Sequence, residues 1–230
     1  MIAVRPSQER GHLDHGWLDT YHTFSFGTYL DRRFMGFRDL RVINDDRIHG
    51  GKGFGTHPHR DMEILTYMLD GELAHRDSMG NGRTIRTGEV QGMSAGSGIT
   101  HSEFNASDDK PAHLLQIWIM PHTQNVTPSY GEWLPDGSEK TGWALAASPE
   151  GNGSIRIHQD ARMYVATPEA GAALPIPVAK GRYGWLQIGS GDIELDGRTL
   201  RSGDGISFEG GELQSLTTGS KAQLLLFDLK

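Results

Sequence analysis

Two short runs, His57-Pro58-His59 and His101-Ser102-Glu103, each place two metal-ligating side chains two residues apart. On a β-strand, residues two apart project to the same face, so each run can offer both groups to one ion. Two such strands on the inner face of a barrel would bring three imidazoles and one carboxylate into a single pocket. That donor set suits Fe(II), Mn, Ni, Cu or Zn, and leaves one or two positions of an octahedral ion for water, substrate or O2. The chain has no Cys, so no thiolate selects copper(I) or a structural zinc. Ten of the eleven His lie before residue 123 and only His158 follows, which puts imidazole chemistry in the first half.

The elements that must position these residues read as strands. Helical period is weak, and short apolar runs end in turn residues. Glu63 to Leu69 precedes Asp70-Gly71, His113 to Met120 precedes Pro121, Trp185 to Ile188 precedes Gly189-Ser190-Gly191, and Leu224 to Leu229 closes the chain. Runs of this length, separated by tight turns, are the pattern of a sandwich or barrel, and 31 Gly in 230 residues supply the turns. The run Leu114-Leu115-Gln116-Ile117-Trp118-Ile119 predicts a strand covered on both faces. An internal echo, Gly82-Arg83-Thr84-Ile85-Arg86-Thr87-Gly88-Glu89 against Gly197-Arg198-Thr199-Leu200-Arg201-Ser202-Gly203-Asp204, points to two related halves. Between them, residues 121–153 carry Pro121, Pro128, Pro135 and Pro149, with Trp133 and Trp143 marking an ordered crossing. The expected fold class is all-β: two antiparallel β-barrel domains packed together, 1–125 with the metal site and 126–230 without one.

Composition narrows the function classes. The 22 Lys+Arg against 29 Asp+Glu give a formal charge of −7, and no basic run marks a nucleic-acid or anionic-membrane surface. The absence of Cys excludes disulfides, iron–sulfur clusters and cysteine nucleophiles. The first ten residues are charged and lack an apolar core, and no run approaches the roughly 18 apolar residues of a membrane span. The expectation is a soluble, cytoplasmic protein, acting as a monomer.

The residues resemble the cupin superfamily. Gly51, His57-x-His59 and Glu63 follow the first cupin motif, with Gly71 one residue late. Gly98, His101 and Asn105 follow the second, with Gly96 in place of its usual Pro and Gly88 two residues early. More narrowly, His57-Pro58-His59-Arg60-Asp61-Met62-Glu63, Ala74-His75-Arg76-Asp77-Ser78 and Gly96-Ser97-Gly98-Ile99-Thr100-His101-Ser102-Glu103 look like the pirin branch. So do Thr23-Phe24-Ser25-Phe26-Gly27 and Phe37 to Asp46; over 121–230 the likeness is looser.

That resemblance implies a bicupin with one metal, usually iron, in the amino-terminal barrel, held by His57, His59, His101 and Glu103. General cupins use the glutamate after His-x-His, here Glu63, whereas pirins pass the role to the position of Glu103; Glu63 then becomes a supporting acid. Bacterial pirins resemble quercetin 2,3-dioxygenases, which open the central ring of a flavonol with O2 and release carbon monoxide and a depside ester. The implied partners are therefore a phenolic, flavonol-like molecule and O2, with Glu103 as the proton acceptor. The alternative is a pirin-type, redox-responsive regulator that binds a transcription factor or metabolic enzyme. Met93, Phe54 and Phe104 are expected to pack the substrate rings, and Arg60 and Asp61 to orient a ligand histidine. Trp118, like the other tryptophans, is expected in the core or as a loop anchor, and His75 and His113 as strand residues lining or flanking the barrel. The second barrel, lacking His-x-His, is expected to shape the pocket entrance.

Overall fold

The structure, a computed structural model, describes residues 2–230, and its strands form two seven-stranded and two four-stranded sheets. In the amino-terminal half the large sheet runs in the order Ser129–Trp133, Val90–Ser94, Glu63–Asp70, Ala112–Ile119, Leu40–Ile48, Leu18–His22, Gly11–Asp14. The small sheet runs Gly53–His59, Ile99–Asn105, Glu72–Asp77, Gly82–Arg86. The carboxy-terminal half repeats this plan, with Tyr183–Ser190 and Gln223–Leu229 central in its large sheet. The pairs are antiparallel apart from the short parallel contact of Ala144–Ser148 with Ile155–Arg156. This is the two-domain cupin fold.

Alternation along Ala112–Ile119 shows how the layers are built. Leu115, Ile117 and Ile119 point into a core shared with Met163, Val165, Leu225 and Phe227, so the two large sheets pack face to face. Leu114 points the other way, into a smaller cluster with Met68, Leu73 and Ile85 inside the amino-terminal barrel. On that same inner face Gln116 and Trp118 border a cavity. The strand is covered on both faces, as its continuous apolarity predicts, but one face is half polar because it borders a site.

The corresponding interior of the second barrel is filled by Leu186, Ile188, Ile193, Leu200, Ile206, Phe208 and Leu224. Among the described residues, both clusters of metal-capable side chains lie in the first half. Each large sheet also takes an edge strand from across the expected 125/126 boundary. Ala3–Arg5 pairs with Gly205–Glu209 in the carboxy-terminal sheet, and Ser129–Trp133 pairs with Val90–Ser94 in the amino-terminal one. Exchanged edges protect both sheets from open pairing and tie the barrels together.

Candidate metal centre

The two motif-bearing strands are neighbours. Gly53–His59 pairs with Ile99–Asn105, and His101 stands opposite His57. Between His101 and Glu103 the partner changes from His57 to Phe54, so Gly53–His59 carries one extra residue there. A bulge of this kind bends a strand and re-aims its side chains. The turn leading into Ile99–Asn105 needs Gly96, which has φ +44 and would place a Cβ 2.0 Å from the Val126 carbonyl oxygen. Proline, fixed near φ −65°, cannot occupy that position, which accounts for the departure from the cupin motif.

The hydrogen bonds behind the histidines fix their tautomers. His57 Nδ1 lies 2.8 Å from the Gly55 carbonyl oxygen, which can only accept, so Nδ1 carries the hydrogen and Nε2 is bare. His75 Nε2 lies 3.3 Å from Asp77 Oδ2 and donates to it, leaving His75 Nδ1 bare. That nitrogen is 3.4 Å from His101 Nδ1, which must therefore donate, so His101 Nε2 is bare as well.

The two bare nitrogens, His57 Nε2 and His101 Nε2, face each other at 3.0 Å with no hydrogen to share. Only a common electrophile makes that approach favourable. Two nitrogens about 2.1 Å from one ion and about 90° apart are separated by about 3.0 Å, so the pair fits adjacent positions on a transition metal. The His59 ring lies 4.8 Å from that of His57 and 4.9 Å from that of His101, and donor atoms of all three lie within 4.8 Å of one another. Burial, with His57 second, lowers His59 to about 4. Burial, followed by His57, His59 and His75, lowers His101 to about 3. Both rings are thus neutral and able to ligate at neutral pH.

Glu103 is only 2 % exposed and forms, with His101 and His75, a second cluster that overlaps the first at His101. Its Oε1 accepts from Gln91 Nε2 at 2.7 Å, and its Oε2 from Gln116 Nε2 at 3.0 Å. Burial, with the Asp46 carboxyl second, pushes Glu103 up to about 7 against the hydrogen bonds from Thr66, Gln116 and Gln91. Glu63 belongs to neither cluster. Its carboxyl accepts from Ser94 Oγ at 2.5 Å and lies 3.4 Å from His158 Nδ1, at the seam between the halves.

A cavity of about 280 Å³ opens beside these groups, bordered by His57, His59, Glu103, Asp46 and the rings of Phe26, Phe54 and Trp118. Several expectations need correction here. Of the three residues expected to pack a substrate, only Phe54 borders the cavity; Met93 is in a cluster with Ile64, Ala95 and Ile99, and Phe104 faces solvent. Phe26 and Trp118 take their places, because Trp118 alternates with Ile117 and Ile119 and so falls on the inner face. Arg60 and Asp61 do not touch the histidines; they hold the loops around Ser97 and Asn125. The cavity is bordered entirely by residues of the first half, so the second barrel does not form its entrance.

His75 and Asp77 form a support that the sequence did not reveal beyond placing His75 along the barrel. His75→Phe keeps a ring against Tyr130, on which His75 stacks at 4.9 Å, but removes the acceptor for His101 Nδ1–H. Loss of such an orienting bond is expected to weaken metal binding about 10- to 100-fold, measured by competition with a chromophoric chelator. Equal affinities for the variant and the parent would show that His101 is oriented without His75.

Comparison with known proteins places the chain. Residues 3–119 match the Pirin family model, and residues 145–229 match the quercetinase C-terminal cupin domain. The chain belongs to the pirin family, within the cupin fold. It is 46 % identical to a quercetin 2,3-dioxygenase of Escherichia coli K12, over all of this chain and 99 % of that protein. A pirin-like protein of Caulobacter vibrioides is 39 % identical, with 99 % of both chains covered. The crystal structure of the bacterial pirin YhhW from Escherichia coli in complex with nickel(II) superposes with a TM-score of 0.93 at 45 % identity, covering 100 % of this chain and 99 % of that one.

Proposed function

We propose that this protein is a metal-dependent dioxygenase that opens the central ring of a flavonol such as quercetin with O2. The observation that carries this reading is the pair of bare imidazole nitrogens facing each other beside an aromatic-walled cavity. The name of the 46 % identical Escherichia coli relative supports it. His57, His59, His101 and Glu103 are the proposed ligands, and Fe(II) the proposed ion. Such an ion would supply Lewis acidity for the substrate hydroxyl and a centre for O2 chemistry.

The chain's own residues do the rest. Phe26, Phe54 and Trp118 form flat apolar walls, and about 280 Å³ sits near the lower end of ligand pockets, roughly 300–1,000 Å³. A small planar polyphenol matches that space. Glu103 takes the proton of the substrate's hydroxyl, since a carboxyl raised towards neutrality is an effective base at pH 7. Gln91 and Gln116 hold both of its oxygens, so the acceptor stays in register with the cavity. The overall conversion balances as flavonol plus O2 giving the depside ester plus carbon monoxide.

The test is elemental analysis of the purified and iron-reconstituted protein, with O2 uptake on quercetin recorded on the same samples. About one metal per chain and O2 uptake matched by carbon monoxide release support the dioxygenase. Metal bound without turnover would overturn it in favour of a regulatory role.

A further inference from the structure

Asp46 is the acid of the cavity that the proposed ligand set does not use. It lies on Leu40–Ile48, two residues from Asn44, and both side chains border the cavity from the large sheet, across from the ligand-bearing small sheet. Asp46 is 3 % exposed and belongs to neither metal-capable cluster.

Its Oδ1 accepts from Thr20 Oγ1, while no group among the described residues bonds Oδ2. Asp46 borders the cavity, and with Oδ1 held by Thr20 its Oδ2 is the carboxyl oxygen left for a ligand there. Gln116 is engaged, whereas Trp118 Nε1 and Asn44 Nδ2 make no hydrogen bond among the described residues, so a ligand meets these two donors beside Asp46. Gln116 donates to Glu103 and accepts from Thr66, and the Asn44 amide oxygen pairs with His22 Nδ1 at 2.7 Å. A buried carboxyl oxygen directed at a ligand-sized space and left without a protein partner is costly unless the ligand satisfies it.

We propose that Asp46 binds the second oxygen of the substrate and selects molecules in which a carbonyl sits next to the metal-seeking hydroxyl. The substrate class is the α-hydroxyketone, of which the 3-hydroxy-4-ketone edge of a flavonol is one case. Burial raises Asp46 and Glu103 alike to about 7, and the Asp46 charge raises Glu103 further, so the two acids do not readily ionise together. With Glu103 ionised as the base, Asp46 keeps its proton and donates it to the carbonyl oxygen while Thr20 holds its other end. This inference rests on the reading of the pocket as a metal-centred site, but not on turnover of a flavonol.

The experiment is calorimetric titration of nickel(II)-loaded protein with a 3-hydroxy-4-pyranone and with phenol, for the parent, Asp46→Ala and Asp46→Asn. Nickel(II) content and thermal midpoint are recorded for each. The expected result is an approximately tenfold loss of pyranone affinity in Asp46→Ala, with phenol affinity little changed and metal content held. Asp46→Asn, whose amide can donate to a carbonyl and still meet Thr20, is expected to restore most of the loss. Pyranone binding unchanged in Asp46→Ala, or pyranone and phenol weakened equally, would overturn the assignment. Absence of O2 uptake on quercetin in the iron-loaded parent would sink the flavonol reaction and leave this result standing, so the two failures are distinguishable. If Asp46→Ala does not fold, Asp46→Asn against the parent still decides, because a pyranone loss as large as the one expected for alanine contradicts a donated bond.

Discussion

His101→Ala is expected to leave the protein folded but with metal affinity reduced by about 10²- to 10³-fold, and with O2 uptake on quercetin at background. Four-ligand sites contribute roughly 10–16 kcal/mol in total, so one ligand accounts for about 2.5–4 kcal/mol, which is this fold-change. His101 is the most informative of the four because it belongs to both metal-capable clusters and meets His57 at 3.0 Å and His75 at 3.4 Å. Removing it also ends the clash of bare nitrogens in the metal-free protein. The variant without metal is therefore expected to unfold at no lower a denaturant concentration than the metal-free parent, apart from the cavity left by the ring. Metal content is read by elemental analysis after dialysis against a weak chelator. Full occupancy in His101→Ala would show that the ion is held elsewhere.

The legible part of this site is the part carried by strand alternation. His57 and His59, and His101 and Glu103, are two apart within single strands, so their common faces follow from backbone geometry alone. The barrel halves are legible for a related reason, since apolar runs and Gly-rich turns are local signals. What stays hidden depends on register between strands far apart in sequence. His75 stands opposite Glu103 and Asp77 opposite His101 only because Glu72–Asp77 pairs with Ile99–Asn105 in that register. Gln91 and Gln116 reach Glu103 from two other strands of the facing sheet. Asp46 sits in the run Asn44-Asp45-Asp46, where sequence gives no means of telling the inward acid from the outward one. Asp45 turns to Arg10, Arg47 and His113, while Asp46 turns to Thr20 and the cavity. Edge exchange by Ala3–Arg5 and Ser129–Trp133 is equally non-local, because an edge strand has no pattern that names its neighbour.

Asp46→Asn is expected to stabilise the metal-free protein at pH 8 by about 4 kcal/mol and to change little at pH 4. Burial, opposed by the Thr20 hydrogen bond and reinforced by the charges of Asp45 and Asp19, pushes Asp46 from 3.8 up to about 7. The folded chain therefore holds a proton that the unfolded chain releases between these values. A raised carboxyl contributes its stability fully below the unfolded value and loses it as pH rises towards the folded one, at about 1.4 kcal/mol per unit. Over about three units this reaches about 4 kcal/mol, lost between pH 4 and 7. Asparagine is uncharged at every pH and keeps the shape of the protonated acid, so the variant lacks this loss. Urea unfolding of both proteins at pH 4, 6 and 8 reads the difference as a gap that opens with pH. Parallel curves at all three values would mean that Asp46 ionises in the fold as readily as in the unfolded chain. Stabilisation at pH 8, together with the ligand-binding results, would separate two properties of one carboxyl. As a structural element Asp46 is unfavourable wherever it ionises, and as a donor into the cavity it gives the substrate's carbonyl a partner whose other end Thr20 fixes. A residue that weakens the empty fold while completing the liganded one is what a binding role requires of a buried acid in this position.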